Sequence, residues 1–179
     1  NAASGILLFS TAAGTGNDGN TVDNNNITSS ADPDRPLNAI YSAGSATFDN
    51  SENIISNNNF YDFLSRATAS NGINLAANTT AWDITGNSFY ETASFVPSAS
   101  VAYNIILINN AAGTDFDISG NHIGGQAALS AGSAWTKTNA FNNIFTAINI
   151  TAGTATATSI QNNTIRNFDW SNSLNATWT

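Results

Sequence analysis

One pattern recurs along the chain and limits what it can fold into: an apolar residue, two further positions, an asparagine, one more position and a second apolar residue. It reads Val22-Asp23-Asn24-Asn25-Asn26-Ile27, Ile55-Ser56-Asn57-Asn58-Asn59-Phe60, Ile84-Thr85-Gly86-Asn87-Ser88-Phe89, Ile118-Ser119-Gly120-Asn121-His122-Ile123 and Ile160-Gln161-Asn162-Asn163-Thr164-Ile165. A weaker copy, Ala140-Phe141-Asn142-Asn143-Ile144-Phe145, lies between the last two. Successive asparagines are 33, 29, 34, 22 and 20 residues apart, spacings that belong to stacked structural repeats. The prolines fall in the longer intervals, Pro33 and Pro36 in the first and Pro97 in the third, so the extra length reads as loops inserted at one corner.

About 14 to 19 residues before each asparagine lies another short apolar run. These are Gly5-Ile6-Leu7-Leu8-Phe9, Asn38-Ala39-Ile40-Tyr41, Gly72-Ile73-Asn74-Leu75, Asn104-Ile105-Ile106-Leu107-Ile108 and Ala147-Ile148-Asn149-Ile150. Each repeat therefore contains three short strands: the upstream run, the segment entering the asparagine and the segment leaving it. The expected fold is all-β, a right-handed parallel β-helix of about six coils with three short strands per coil, in one domain spanning residues 1–179. Parallel crossovers are nearly always right-handed, and six coils at the strand spacing give a rod about 29 Å long.

Alternation along a strand puts Trp82 and Ile84 inside and Asp83 and Thr85 outside, with Phe116 and Ile118 repeating this one coil later. Stacking then aligns like residues, so Val22, Ile55, Ile84, Ile118, Ala140 and Ile160 should form one internal column. Ile27, Phe60, Phe89, Ile123, Phe145 and Ile165 should form a second. Asn25, Asn58, Asn87, Asn121, Asn143 and Asn163 should occupy the bend between strands, where a short amide tolerates left-handed backbone and can hydrogen-bond coil to coil in a ladder.

The Ile-x-x-Asn-x-Ile/Phe element resembles the PbH1-type repeats of the pectate-lyase-like parallel β-helix superfamily, found in large bacterial secreted and surface proteins. The resemblance covers nearly the whole chain as an architecture. It implies a fold shared by enzymes, adhesins and phage tailspikes, so function has to be argued from residues.

Charge narrows the field. The chain of 179 residues carries 4 basic and 12 acidic side chains, a net charge of −8, so it would repel a phosphate backbone, and nucleic-acid binding is excluded. It contains no Cys, which rules out disulfides and thiolate metal sites, and no apolar run long enough to span a bilayer as a helix. Only 9% of residues are charged, so Asn, Ser, Thr and Gly must form the solvent face. No Met occurs, so residue 1 is read as an internal position of a longer polypeptide. Neither terminus has the polar cap or helix of a finished solenoid, which implies adjacent coils of the same parent protein or identical copies stacked end to end.

Asp83 and Asp117 hold the same register position in consecutive coils, and Asp115 lies two residues from Asp117. Such a trio could bind Ca²⁺ or supply the acid and base of a polysaccharide lyase or hydrolase; otherwise it is a solvated acidic face, and no cofactor is required. The enzymes of the superfamily would imply Gly-His-Gly, Arg-x-Lys or a basic residue beside the carboxylates, and none is present in register. His122, the sole histidine, follows a ladder asparagine and is expected at the surface near Asp115 and Asp117, where it could act as an acid/base or weak ligand. Thr154-Ala155-Thr156-Ala157-Thr158 is read as a strand with threonines on one face, although an ice-binding surface would need them repeated in successive coils. Tyr61, Tyr90, Trp135 and Trp170 could stack on sugar rings or cover loops. The function expected is an extracellular structural module, the stalk or fibre of an adhesin-like bacterial surface protein, with lyase, hydrolase or glycan-binding activity as the alternative.

Overall fold

The computed structural model describes residues 5–11, 14–29 and 35–172. The chain winds as a right-handed parallel solenoid of five coils. The first contains β1 (Gly5–Ser10), β2 (Thr21–Asp23) and β3 (Asn26–Thr28), and the second β4 (Asn38–Ala43), β5 (Asn50–Ser51), β6 (Ile54–Ser56) and β7 (Asn59–Tyr61). In the third are β8 (Ser70–Leu75), β9 (Thr79–Thr80), β10 (Asp83–Thr85) and β11 (Ser88–Tyr90). The fourth holds β12 (Ala102–Asn110), β13 (Asp117–Ser119), β14 (His122–Ile123) and β15 (Trp135–Lys137), and the fifth β16 (Ile144–Ala152), β17 (Ser159–Gln161), β18 (Thr164–Ile165) and β19 (Phe168–Trp170).

Three five-stranded parallel sheets result. Sheet A is β1-β4-β8-β12-β16, sheet B is β2-β6-β10-β13-β17 and sheet C is β3-β7-β11-β14-β18. The upstream runs form sheet A, and the two halves of the repeated motif form sheets B and C, so three strands per coil is the observed arrangement. At roughly 4.8 Å per coil the rod is about 24 Å long.

Register follows the repeated residues. Val22, Ile55, Ile84, Ile118 and Ile160 pair in one row across sheet B, and Ile27, Phe60, Phe89, Ile123 and Ile165 in one row across sheet C. Trp82, Ile84, Phe116 and Ile118 are buried, and Asp83 is exposed. Burial of each such side chain contributes about 1.5–3 kcal/mol, and Phe60 stacks on Phe89 with centroids 4.7 Å apart.

The sixth copy of the motif does not begin a coil. Ala140 lies in a loop and Phe145 pairs with Tyr103 in sheet A, so neither joins its expected column. Asn143 enters sheet A at a different corner, where its N–H donates to Asn172 Oδ1 at 3.0 Å and its Nδ2 to Val101 O at 3.1 Å. The backbone N–H bond to a stacked amide oxygen is shared with the main ladder, but the Asn143 Oδ1 has no hydrogen-bond partner.

The main ladder runs through Asn25, Asn58, Asn87, Asn121 and Asn163. Each Oδ1 from Asn58 onward accepts both the backbone N–H and the Nδ2 of the asparagine one coil earlier, at 2.9–3.1 Å. The Nδ2 groups of Asn58, Asn87, Asn121 and Asn163 also donate to Val22 O, Ile55 O, Ile84 O and Ile118 O at 2.7–2.8 Å. The left-handed residue is the one before the ladder asparagine, not the asparagine itself. Asn24, Asn57, Gly86, Gly120 and Asn162 have φ between 54° and 66°. Asparagine and glycine fill that column because other side chains clash there.

Extra chain length collects at the corner from sheet C to sheet A, as the prolines imply. There Trp135 stacks on Phe168, and Phe145 packs edge to face on Trp135 and tilted against Phe168 and Trp170. The Thr154–Thr158 stretch is an exposed bend between β16 and β17 and not a strand, so its threonines form no regular face.

Candidate functional site

Sheet B carries the acidic residues. β10 pairs with β13, setting Asp83 opposite Asp117, and with β6, setting Asp83 opposite Ile54, so outward alternation stacks two carboxylates in adjacent coils. Asp115 and Glu52 take left-handed backbone, φ 63° and 55°, just before their strands. Together Glu52, Asp83, Asp115 and Asp117 line an open trough of about 510 Å³ on the sheet B side. Partial burial, and then the charges of Asp117 and Asp115, push the Asp83 carboxyl above the usual carboxylate range. Among the described residues no group of three or more His, Cys, Asp or Glu side chains is disposed to hold a metal ion.

His122 does not join this group. It lies in sheet C opposite Ser88 and Thr164, across the asparagine corner from β13. The short turn Ala128–Ser130 folds over the same region, with Leu129 N–H donating to Ser88 Oγ at 3.0 Å. His122 is half-buried rather than fully exposed, and its Nδ1 has no hydrogen-bond partner.

A second charged cluster occupies the corner from sheet C to sheet A. Phe60-Tyr61-Asp62 and Phe89-Tyr90-Glu91 stack in register, which brings Asp62 beneath Glu91, and the tyrosine rings stack at 5.3 Å. Arg35 reaches across both coils. Its Nη1 donates to Glu91 Oε1 and Oε2 at 2.9 and 2.8 Å and to Leu64 O at 3.1 Å, and its Nη2 lies 3.7 Å from Asp62 Oδ1. Asp62 accepts the Thr92 N–H at 2.9 Å and the Thr92 hydroxyl at 2.6 Å. Glu91 is only 2% exposed, and burial pushes its carboxyl up to about 8 against the opposing pull of Arg35. With Arg66 and Phe95, these side chains line a pocket of about 230 Å³. The cluster lies on a corner, where strand alternation does not apply, and its mark in the sequence is the twofold Phe-Tyr-acid run in register.

The chain matches no family model, no curated protein and no solved structure. The site is therefore judged on its geometry. Both clusters resemble what a regular stack of coils produces, two acidic side chains facing each other at the coil repeat. At Asp62 and Glu91 the raised Glu91 carboxyl keeps its proton at neutral pH and Arg35 bridges the pair, and at Asp83 and Asp117 solvent screens the repulsion.

Lys137 is, with Glu91, the second buried acidic or basic residue among the described residues, 1% exposed. Its Nζ donates to Asn172 Oδ1 at 2.9 Å and Asn139 O at 3.3 Å, and also to Phe141 O and Ser171 O. Four neutral oxygens thus hold the ammonium, and burial draws its pKa below that of an ordinary lysine. This clip fastens the fourth coil's long loop to the end of β19.

Proposed function

We propose that the chain is a structural segment of an extracellular, adhesin-like bacterial stalk or fibre built on PbH1-type repeats, continued at its ends by further coils of the parent protein or by identical copies. One observation carries the reading: the two end coils are complementary in donors, acceptors and apolar rows. Among the described residues nothing donates to Asn25 Oδ1 and nothing accepts the Asn163 backbone N–H. Those are the two halves of one ladder step. Ile160 and Ile165 are 53% and 49% exposed where their counterparts Ile118 and Ile123 are fully buried, and at the opposite end the inward Leu7, Phe9 and Val22 are only partly buried.

A coil added at either end would cover these residues with side chains of their own kind and pair the free edges of all three sheets. The extended mechanical role fits this regularity, since every step of the ladder repeats the same bonds. The deciding experiment is electron microscopy with mass measurement on the protein isolated from its natural source. Rods longer than about 24 Å, with the coil repeat running continuously, are expected. Isolated particles of a single 18.6 kDa chain would reject the stalk and the fibre alike.

A further inference from the structure

The strands at the two edges of the sheets differ from the rest of the surface in charge. β1, β2 and β3 form one edge of the three sheets, and β16, β17 and β18 form the other. Of these six only β2 carries an ionisable side chain, Asp23. The net charge of −8 is displayed instead on the sides of the rod, as where Asp83, Asp115, Asp117 and Glu52 line the sheet B trough. That charge opposes side-by-side packing of copies and leaves packing along the axis free of like-charge contacts.

Register carries the same rows from one edge to the other. Leu7 belongs to the row of Ile148 and Phe9 to that of Ile150 in sheet A. Val22 belongs to the row of Ile160 in sheet B, and Ile27 to that of Ile165 in sheet C. A first coil set one strand spacing beyond a fifth coil would continue all four rows with apolar residues. The first coil leaves an open pocket of about 340 Å³, lined by Leu7, Val22 and Ile27 beside Asn25, and the exposed Ile160 and Ile165 are the side chains that match it. The outward rows agree as well. Thr21 would lie beside Ser159, Asn26 beside Thr164, and Asp23 beside Gln161, whose amide can donate to the carboxylate.

The ladder sets the polarity of such a contact. Each asparagine donates its backbone N–H to the coil after it and accepts from the coil before it, so two fifth coils face to face would oppose donor to donor. We propose that identical copies of this chain join head to tail, the fifth coil of one seated on the first coil of the next, with Val22 over Ile160, Ile27 over Ile165 and Asn163 donating to Asn25. The join rests on the end-to-end reading above and commits it to a second copy. Its occupant is selected by the match: the first coil of the chain itself continues every apolar row, supplies the missing acceptor and sets no acid opposite another. The contact is heterologous and does not close, so growth is open-ended.

The test is sedimentation velocity of the purified chain at rising concentration, where a series of species growing with concentration is expected. Val22→Glu blocks one face and Ile160→Glu the other. Each variant, with unchanged circular dichroism, should remain monomeric, and their equimolar mixture should give a dimer and nothing larger. Thr21 and Ser159 lie four coils apart in one chain, about 19 Å, so the double variant Thr21→Cys with Ser159→Cys can form disulfides only between chains, and oxidation should yield covalent multimers. Single variants that still polymerise, a mixture without dimer, or assembled cysteine variants that fail to cross-link would overturn the proposal. A chain that stays monomeric at every concentration would overturn it too, and continuous rods in the native material would then assign the extension to coils of the parent protein.

Discussion

At the scale of single residues, buried polar groups decide the energetics. The Asn87 side chain makes four hydrogen bonds, to the Asn58 N–H and Nδ2, Asn121 Oδ1 and Ile55 O, so Asn87→Ala would leave Ile55 O and the Asn58 N–H without those partners inside the rod. The expected loss is about 2–4 kcal/mol in urea unfolding, against less than about 0.5 kcal/mol for Asn26→Ala at the exposed neighbouring position. Glu91 makes a prediction in pH. Its folded carboxyl is raised to about 8 from 4.5, so between these values the folded state holds a proton that the unfolded state has released. Its contribution to stability therefore falls as pH rises through that window and is constant on either side. Thermal unfolding from pH 5 to pH 8 should show this decline, at most about 1.4 kcal/mol per pH unit, and Glu91→Gln should flatten it. A decline of the same size in the variant would assign the effect to other groups.

At the scale of strands and turns, the corner between sheets B and C fixes the coil. The left-handed position before each ladder asparagine holds only Asn or Gly. A side chain at Gly120 would meet no atom closer than 3.8 Å, so conformation alone sets the cost there. Gly120→Asn should leave the unfolding midpoint nearly unchanged, whereas Gly120→Val should destabilise by about 1–2 kcal/mol or more. In sheet B, Asp83→Asn removes one of two facing carboxylates and should raise stability by a few tenths of a kcal/mol at low salt, with the gain vanishing in high salt. The elements were legible in the sequence because each coil must present matching apolar residues to its neighbours, which writes the period into the chain. What escaped had a physical reason too. Asn143 shares the ladder's backbone N–H bond at another corner, so its local pattern recurs while its place in the coil differs. The left-handed residue was displaced by one because Asn occupies both positions in three of the five coils. His122 and Asp117 are five residues apart yet sit on different sheets, since the corner falls between them. The Arg35–Asp62–Glu91 cluster depends on a contact across about 56 residues of chain, which no local spacing encodes.

At the scale of the whole molecule, each coil pairs its strands with the coils before and after it, and aromatic contacts such as Phe9 on Trp82 reach one coil further, so stability is distributed along the axis mainly as a sum of neighbouring steps. Specific residues stack coil on coil, Ser56 beside Thr85 and Thr85 beside Ser119. The chain has no Cys, so cysteines introduced in pairs report register without background. In-register neighbours in adjacent coils lie within reach of a disulfide, and residues two coils apart, at about 9.6 Å, do not. The most direct measurement is therefore oxidation of two double variants, Ser56→Cys with Thr85→Cys and Ser56→Cys with Ser119→Cys, read by mass spectrometry under native conditions. Rapid intramolecular cross-linking of the first and none of the second is the predicted result. Cross-linking of the second, or failure of the first in a folded protein, would contradict the coil-on-coil register described here.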